Sequence, residues 1–137
     1  MKYQQASLLE GVPPDLTQLA CAMELQRRAA SAGFDWDQLA PVLAKIREEL
    51  AELEMEISLG GQPGRKQDEL GDVLFAVANL ARKLEIDPEQ ALRGTNQKFL
   101  RRFSVIETEL AKRGKRPENA SLEEMDAIWE HAKGHES

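Results

Sequence analysis

The chain has 137 residues, 42% of them hydrophobic and 31% charged, with a formal net charge of −6. That length suits a single domain burying roughly two thirds of its unfolded surface, and that balance excludes a disordered chain. The acidic charge excludes bulk binding to a nucleic acid polymer, which needs a basic face, but not a phosphate-bearing small molecule bridged through a divalent ion.

One Cys permits no intrachain disulfide and fits a reducing, cytoplasmic setting. The opening MKYQQASLLEG has no apolar signal core, and no stretch approaches the roughly eighteen apolar residues of a membrane span. Residues 1–14 read as an N-terminal extension closed by Pro13-Pro14. Asp15 as N-cap predicts a first helix to about Ala32, with Leu16, Leu19, Ala20, Met23 and Ala30 at helical spacing and Gly33 as its stop. Cys21 within it reads as a small apolar residue. Asp35 or Asp37 caps a second helix that tolerates Pro41 in its first turn. Leu39, Leu43, Ile46, Leu50, Leu53 and Ile57 recur along it as an apolar stripe that predicts a partner helix.

The turn Gly60-Gly61-Gln62-Pro63-Gly64 ends that helix, and a third runs to about Leu84 on a stripe of Leu70, Val73, Leu74, Val77, Ala81 and Leu84. Asp87-Pro88-Glu89-Gln90 opens a fourth, carrying Leu92, Thr95, Phe99, Phe103, Ile106 and Leu110 to about Gly114, with Gly94 as a point of kinking. Ser121-Leu122-Glu123-Glu124 is a capping box for a short last helix ended by Gly134, after which 134–137 read as a frayed tail. No strand pattern and no internal repeat is found. The expected fold class is all-α, a bundle of four main helices plus a short C-terminal helix. Stripes this long in so small a chain point to a homodimer that shares its core.

The second and third helices carry the informative charges. At about 100° per residue, Glu49 and Glu52 fall on one flank of the second stripe, and Glu69 and Asp72 on the matching flank of the third. Glu48 points further round, toward solvent. Glu52 and Glu69 lie at similar heights, roughly 8–10 Å from the turn, so an antiparallel hairpin sets Glu52 against Glu69 and Glu49 against Asp72. Two such charges about 5 Å apart repel by roughly 3 kcal/mol at an effective dielectric of 20, so solvent, a proton or a cation must relieve the cluster. All-oxygen ligands suit Mg²⁺, with Mn²⁺ as a substitute. A single acidic pair one turn apart means nothing in a chain so rich in charge; two pairs matched across a turn point to a metal site.

On the fourth helix Lys98 and Arg102 stand one turn apart beside the apolar stripe, suited to holding a polyphosphate, while Arg101 points outward. Lys45, Arg65 and Lys66 are weaker candidates of the same kind. Trp129 reads as a core anchor. His131 and His135 have metal-ligand spacing, but Gly134 lies between them in the expected tail.

Taken together, these residues resemble the MazG nucleoside triphosphate pyrophosphohydrolases. Glu48-Glu49-x-x-Glu52, a sixteen-residue gap and Glu69-x-x-Asp72 look like that family's EExxE…ExxD signature. Gly33-Phe34-Asp35-Trp36, Asn79-Leu80-Ala81-Arg82, Asn96-x-Lys98-Phe99-x-Arg101-Arg102-Phe103 and Trp129 extend the likeness from about Leu8 to Lys133. The resemblance is to the catalytic C-terminal half of two-domain members. It implies an all-α dimer, related to the dimeric dUTP pyrophosphatases, that performs Mg²⁺-dependent hydrolysis of nucleoside triphosphates to monophosphate and pyrophosphate in nucleotide-pool house-cleaning. Carried over, Glu49, Glu52, Glu69 and Asp72 match metal ligands, and Glu48 an outer acidic position assisting a further metal or the attacking water. Lys98 and Arg102 match triphosphate contacts, and Trp129 a position near the nucleotide. The chain has one MazG-like half, as a free-standing form or as an excised domain would. The competing expectation is a helical module that binds nucleotide or a partner protein without chemistry; intact metal positions count against it.

Overall fold

A Thr hydroxyl, two Pro-led starts and a Ser cap set where the helices begin. The computed structural model describes residues 6–135, so residues 1–5 of the expected extension and 136–137 of the expected tail lie outside the described residues. Five helices appear among them: α1 (Gln18–Ser31), α2 (Leu39–Ser58), α3 (Pro63–Lys83), α4 (Pro88–Lys112) and α5 (Leu122–Gly134), with a 3-10 turn at Pro117–Asn119 and no strand. The all-α expectation holds. No helix among the described residues is long and apolar enough to cross a membrane.

Several boundaries differ from the sequence reading for local reasons. The N-cap of α1 is Thr17, not Asp15; its Oγ1 accepts from the Ala20 N–H at 3.1 Å, satisfying a donor that the first turn leaves unpaired. Neither Asp35 nor Asp37 caps α2. Gln38 holds the cap position without a side-chain bond, and Asp35 is committed to Arg82 and Lys83 instead. Pro63, expected in the turn, begins α3, because the first helical position has no use for the N–H that Pro lacks. At α4 the Asp87 carboxylate accepts from the Glu89 N–H at 3.0 Å as expected, and the helix runs unbroken through Gly94. Ser121 Oγ accepts from the Glu124 N–H at 3.1 Å, while the Glu124 carboxylate turns to Arg113 and Lys115.

The described chain divides into two compact units, Met1–Glu89 and Gln90–Ser137. In the first, α2 and α3 form an antiparallel helical hairpin joined at Leu59–Gln62, and α1 packs on α3. The α2 stripe is only partly buried there: Val42 and Glu49 are enclosed, whereas Leu50 is 52% and Ile57 57% exposed. On α3 it is Ala76 and Ala78 that are buried, while Leu70, Leu74 and Val77 stay exposed. In the second unit Ile106, Leu110 and Ile128 form a buried cluster, with Phe103, Ala120, Met125 and Trp129 packed around it.

Candidate metal and nucleotide site

The helical hairpin brings together three of the four acidic residues expected to converge. Glu49, Glu69 and Asp72 each offer a carboxylate oxygen within 4.8 Å of the others. Glu49 is only 7% exposed; Glu69 is half-buried and Asp72 exposed. One Glu49 oxygen pairs with Lys45 Nζ at 3.0 Å, one turn back on α2. The other, and Oε2 of Glu69, are buried without a hydrogen-bond partner. A carboxylate oxygen out of water with no donor is costly, and buried charges are otherwise paired or bound to metal.

Glu52 stands beside this group but outside the set of three. The negative charge of Glu49, then burial, then the charge of Glu69, raises its carboxyl above its ordinary pKa. Where the angles set Glu49 against Asp72 alone, the structure has Glu49 meeting both α3 carboxylates. Glu48 is exposed and touches Lys45 at 3.4 Å, in keeping with an outer position. Lys45 therefore answers two carboxylates, Glu49 foremost, and its ammonium is held above its ordinary pKa by those bonds. Arg65 is occupied with Glu56 at 3.2 Å.

The basic and aromatic candidates lie in the second unit. Lys98 is exposed on α4. Arg102 places its guanidinium 5.3 Å from the Trp129 ring centroid, a cation–π arrangement. Trp129 also meets Phe99 at 5.5 Å and packs on the Ile106–Leu110–Ile128 cluster, so it is the core anchor its type suggests as well as Arg102's partner. The rings of His131 and His135 lie 4.3 Å apart, and His135 Nδ1 is 2.9 Å from the His131 carbonyl, a contact between the last turn of α5 and its C-cap residue.

Two features of the site region escaped the motif reading. Asp35 ties the loop after α1 to the end of α3, with Arg82 at 2.8 Å and Lys83 at 3.3 Å. Arg82 foremost holds the Asp35 carboxyl down at about 2. Arg82 Nε also donates to Asn79 at 3.0 Å, so two stretches that carry the resemblance meet in one network. The second feature is Gln26, 8% exposed, whose Nε2 donates to the Phe75 carbonyl at 2.8 Å. A signal was available: Gln26 falls three residues after Met23 and four before Ala30, a polar side chain on the apolar face of α1.

An all-helical chain with a carboxylate cluster across one helical hairpin belongs to a narrow class, and comparison with known proteins specifies it. The family described as MazG nucleotide pyrophosphohydrolase domain matches residues 37–107, just over half of the chain and across the boundary of the two units. The chain belongs to that family. It is 40% identical over 133 residues to the nucleoside triphosphate pyrophosphohydrolase of Escherichia coli (strain K12), covering 96% of this chain and 51% of that protein. It is 37% identical over 131 residues to the nucleoside triphosphate pyrophosphohydrolase/pyrophosphatase MazG of Thermotoga maritima, covering 96% of this chain and 50% of that protein. To the uncharacterized protein YabN of Bacillus subtilis (strain 168) it is 42% identical over 129 residues, 94% of this chain and 26% of that one. The chain thus spans about half the length of the first two relatives.

Proposed function

We infer that this chain hydrolyses nucleoside triphosphates to the nucleoside monophosphate and pyrophosphate, with Mg²⁺ as its metal and Mn²⁺ as a substitute. The observation that carries the reading is the convergence of Glu49, Glu69 and Asp72 within 4.8 Å. The buried, unpartnered oxygens of Glu49 and Glu69 fit a hard cation, and so does a donor set of carboxylates alone. The relatives' names and the family match support the same chemistry.

In this reading Glu49, Glu52, Glu69 and Asp72 hold the metal and Glu48 is the outer acidic residue of the catalytic set. A bound divalent ion supplies positive charge against the phosphate oxygens and makes water more acidic. A water oxygen attacks the α-phosphorus, the bond to the α–β bridging oxygen breaks, and that oxygen leaves with pyrophosphate. A carboxylate of the cluster accepts the water's proton. Lys98 and Arg102 contact the triphosphate and offset its charge, and Trp129 lies near the nucleotide, as the resemblance implies. The pairing of Arg102 with Trp129 supports giving those two one role.

The reading extends to a homodimer in the cytoplasm, engaged in nucleotide-pool house-cleaning, with residues 1–137 as one MazG-like domain. Exposed Leu50, Ile57, Leu70, Leu74 and Val77 on the hairpin support self-association, which sedimentation at micromolar concentration tests. The lone Cys is in keeping with the compartment. The deciding experiment incubates the protein with mixed nucleoside triphosphates and Mg²⁺ and resolves the products. Monophosphate with pyrophosphate is expected. Diphosphate with orthophosphate, or no turnover, would overturn the assignment.

A further inference from the structure

Where a frayed tail is expected from residue 134, α5 continues through Gly134, and His135 is its C-cap residue. His131 and His135 are thus held four residues apart at an ordered helix end, the spacing that puts two side chains on one face. Their ring centroids lie 4.3 Å apart, with the ring planes inclined at 40°. Both residues are exposed, so an ion in solution reaches them without any opening of the fold.

Three physical features make this pair a ligand set. The first is the tautomer. His135 Nδ1 is 2.9 Å from the His131 carbonyl oxygen, and a carbonyl only accepts, so Nδ1 carries the hydrogen. In the neutral ring the lone pair is then on Nε2. Metal-ligating histidines are held in this way, one ring nitrogen donating to a backbone carbonyl or carboxylate and the other facing the ion. The second is orientation: inclined planes meet, so in-plane lone pairs of the two rings can aim at one point instead of running side by side. The third is charge. The carbonyls at the end of a helix carry the negative pole of its dipole, which favours a cation there. Glu109 on α4, paired with Lys112 at 3.0 Å, also stands within electrostatic reach of His131.

We propose that His131 and His135 form a second metal site, which binds a borderline divalent transition-metal ion (Cu²⁺, Ni²⁺ or Zn²⁺) through two imidazoles, with water completing the coordination. Affinity for nitrogen ligands ranks Cu²⁺ above the other two. Mg²⁺, which takes oxygen ligands, is not bound there. The acidic hairpin and the histidine pair therefore sort cations by hardness, one with carboxylates alone and the other with imidazoles alone. Two protein ligands are fewer than the four of a structural zinc site, so the ion exchanges freely and its removal leaves the fold intact. The site does not depend on the pyrophosphohydrolase reading and takes no part in that chemistry.

The test uses the full, metal-free chain. Ni²⁺ and Mg²⁺ are titrated by calorimetry into the wild type, His131→Ala, His135→Ala and Glu69→Gln, and circular dichroism is recorded for each. In parallel, Cu²⁺ is added below one equivalent while backbone amide resonances are followed by NMR, since the paramagnetic ion broadens its neighbours. Either histidine variant should lower the Ni²⁺ affinity by about tenfold or more, because losing even a hydrogen-bond partner of a metal ligand costs about that much. Helicity should be unchanged, both positions being exposed. Glu69→Gln should bind Ni²⁺ at the pair as tightly as the wild type, and excess Mg²⁺ should not displace it. Cu²⁺ should broaden the amides of 129–135 before those of Glu49, Glu69 and Asp72. Absence of Ni²⁺ binding, or affinity unchanged in both histidine variants, would overturn the proposal. Loss in one variant alone would reduce the site to a single imidazole and sink the pair. Broadening centred on the α2–α3 hairpin, or Ni²⁺ binding abolished by Glu69→Gln, would show that the transition metal goes to the carboxylates instead.

Discussion

In the unit Met1–Glu89 the enclosed residues include Gln26 and Glu49 beside Val42, Ala76 and Ala78, whereas the cluster in Gln90–Ser137 is Ile106, Leu110 and Ile128. The two units are built from the same kind of amphipathic helix, yet one encloses groups that resist leaving water and the other encloses hydrocarbon. Hydrocarbon burial stabilises by roughly 25 cal/mol per Å², while an isolated buried carboxylate opposes folding. The first unit therefore tolerates a local penalty at Glu49, relieved in part by Lys45, in the place where a cation and a phosphate would be held. The second has the conventional core.

The sharpest way to break that contrast is Glu69→Gln. Pyrophosphate release in Mg²⁺ should fall by about 100-fold or more, since losing even about 3 kcal/mol of transition-state stabilisation has that effect. The helical circular dichroism should be unchanged, and the metal-free protein should melt no lower than the wild type, because one Glu69 oxygen has no partner to lose. A large drop in melting temperature would make Glu69 a structural residue and erase the contrast. Leu110→Ala is the counterpart in the other unit. Leu110 is 0% exposed, so denaturant unfolding should show a loss of about 2–5 kcal/mol.

Smaller effects refine the comparison. Asp35 has its carboxyl held down at about 2, from an ordinary 3.8, by Arg82 above all. Its stabilising contribution is thus complete above pH 4 and disappears as the pH falls through the folded value near 2. Asp35→Asn should melt below the wild type at neutral pH, with the gap closing on acidification through that window; a gap independent of pH would show that the ion pair contributes nothing. Ser121→Ala removes the α5 cap bond and should cost about 1 kcal/mol in unfolding measurements, without changing product ratios.

Much of this was legible in the sequence because it depends on short-range geometry. Helix existence followed from periodic stripes, and the meeting of Glu49 with Asp72 followed from helical angles and one visible turn, whereas the approach of Glu49 to Glu69 in place of Glu52 did not. The stripes were less informative about burial. Leu50 and Ile57 continue the 4-3-4-3-4 pattern but face outward, while Glu49 is the residue enclosed. Periodicity marks an apolar face and does not say which neighbour covers it. Caps failed where several oxygens competed: Thr17 was preferred to Asp15, and Asp35 was drawn to Arg82, a contact across 47 positions that no local rule contains. Gln26 broke the apolar pattern of α1, but only the Phe75 carbonyl gave the break a meaning.

The three converging carboxylates all sit on α2 and α3, two consecutive helices joined by one short connection. Topologically the site is local. Closing so short a segment carries a modest entropic cost that grows only logarithmically with loop length. Contacts of low sequence separation also form early during folding. The geometry that brings the charges together thus depends on contacts of low sequence separation. Insertions outside the two helices and their connection can therefore vary without disturbing the distances among those three carboxylates.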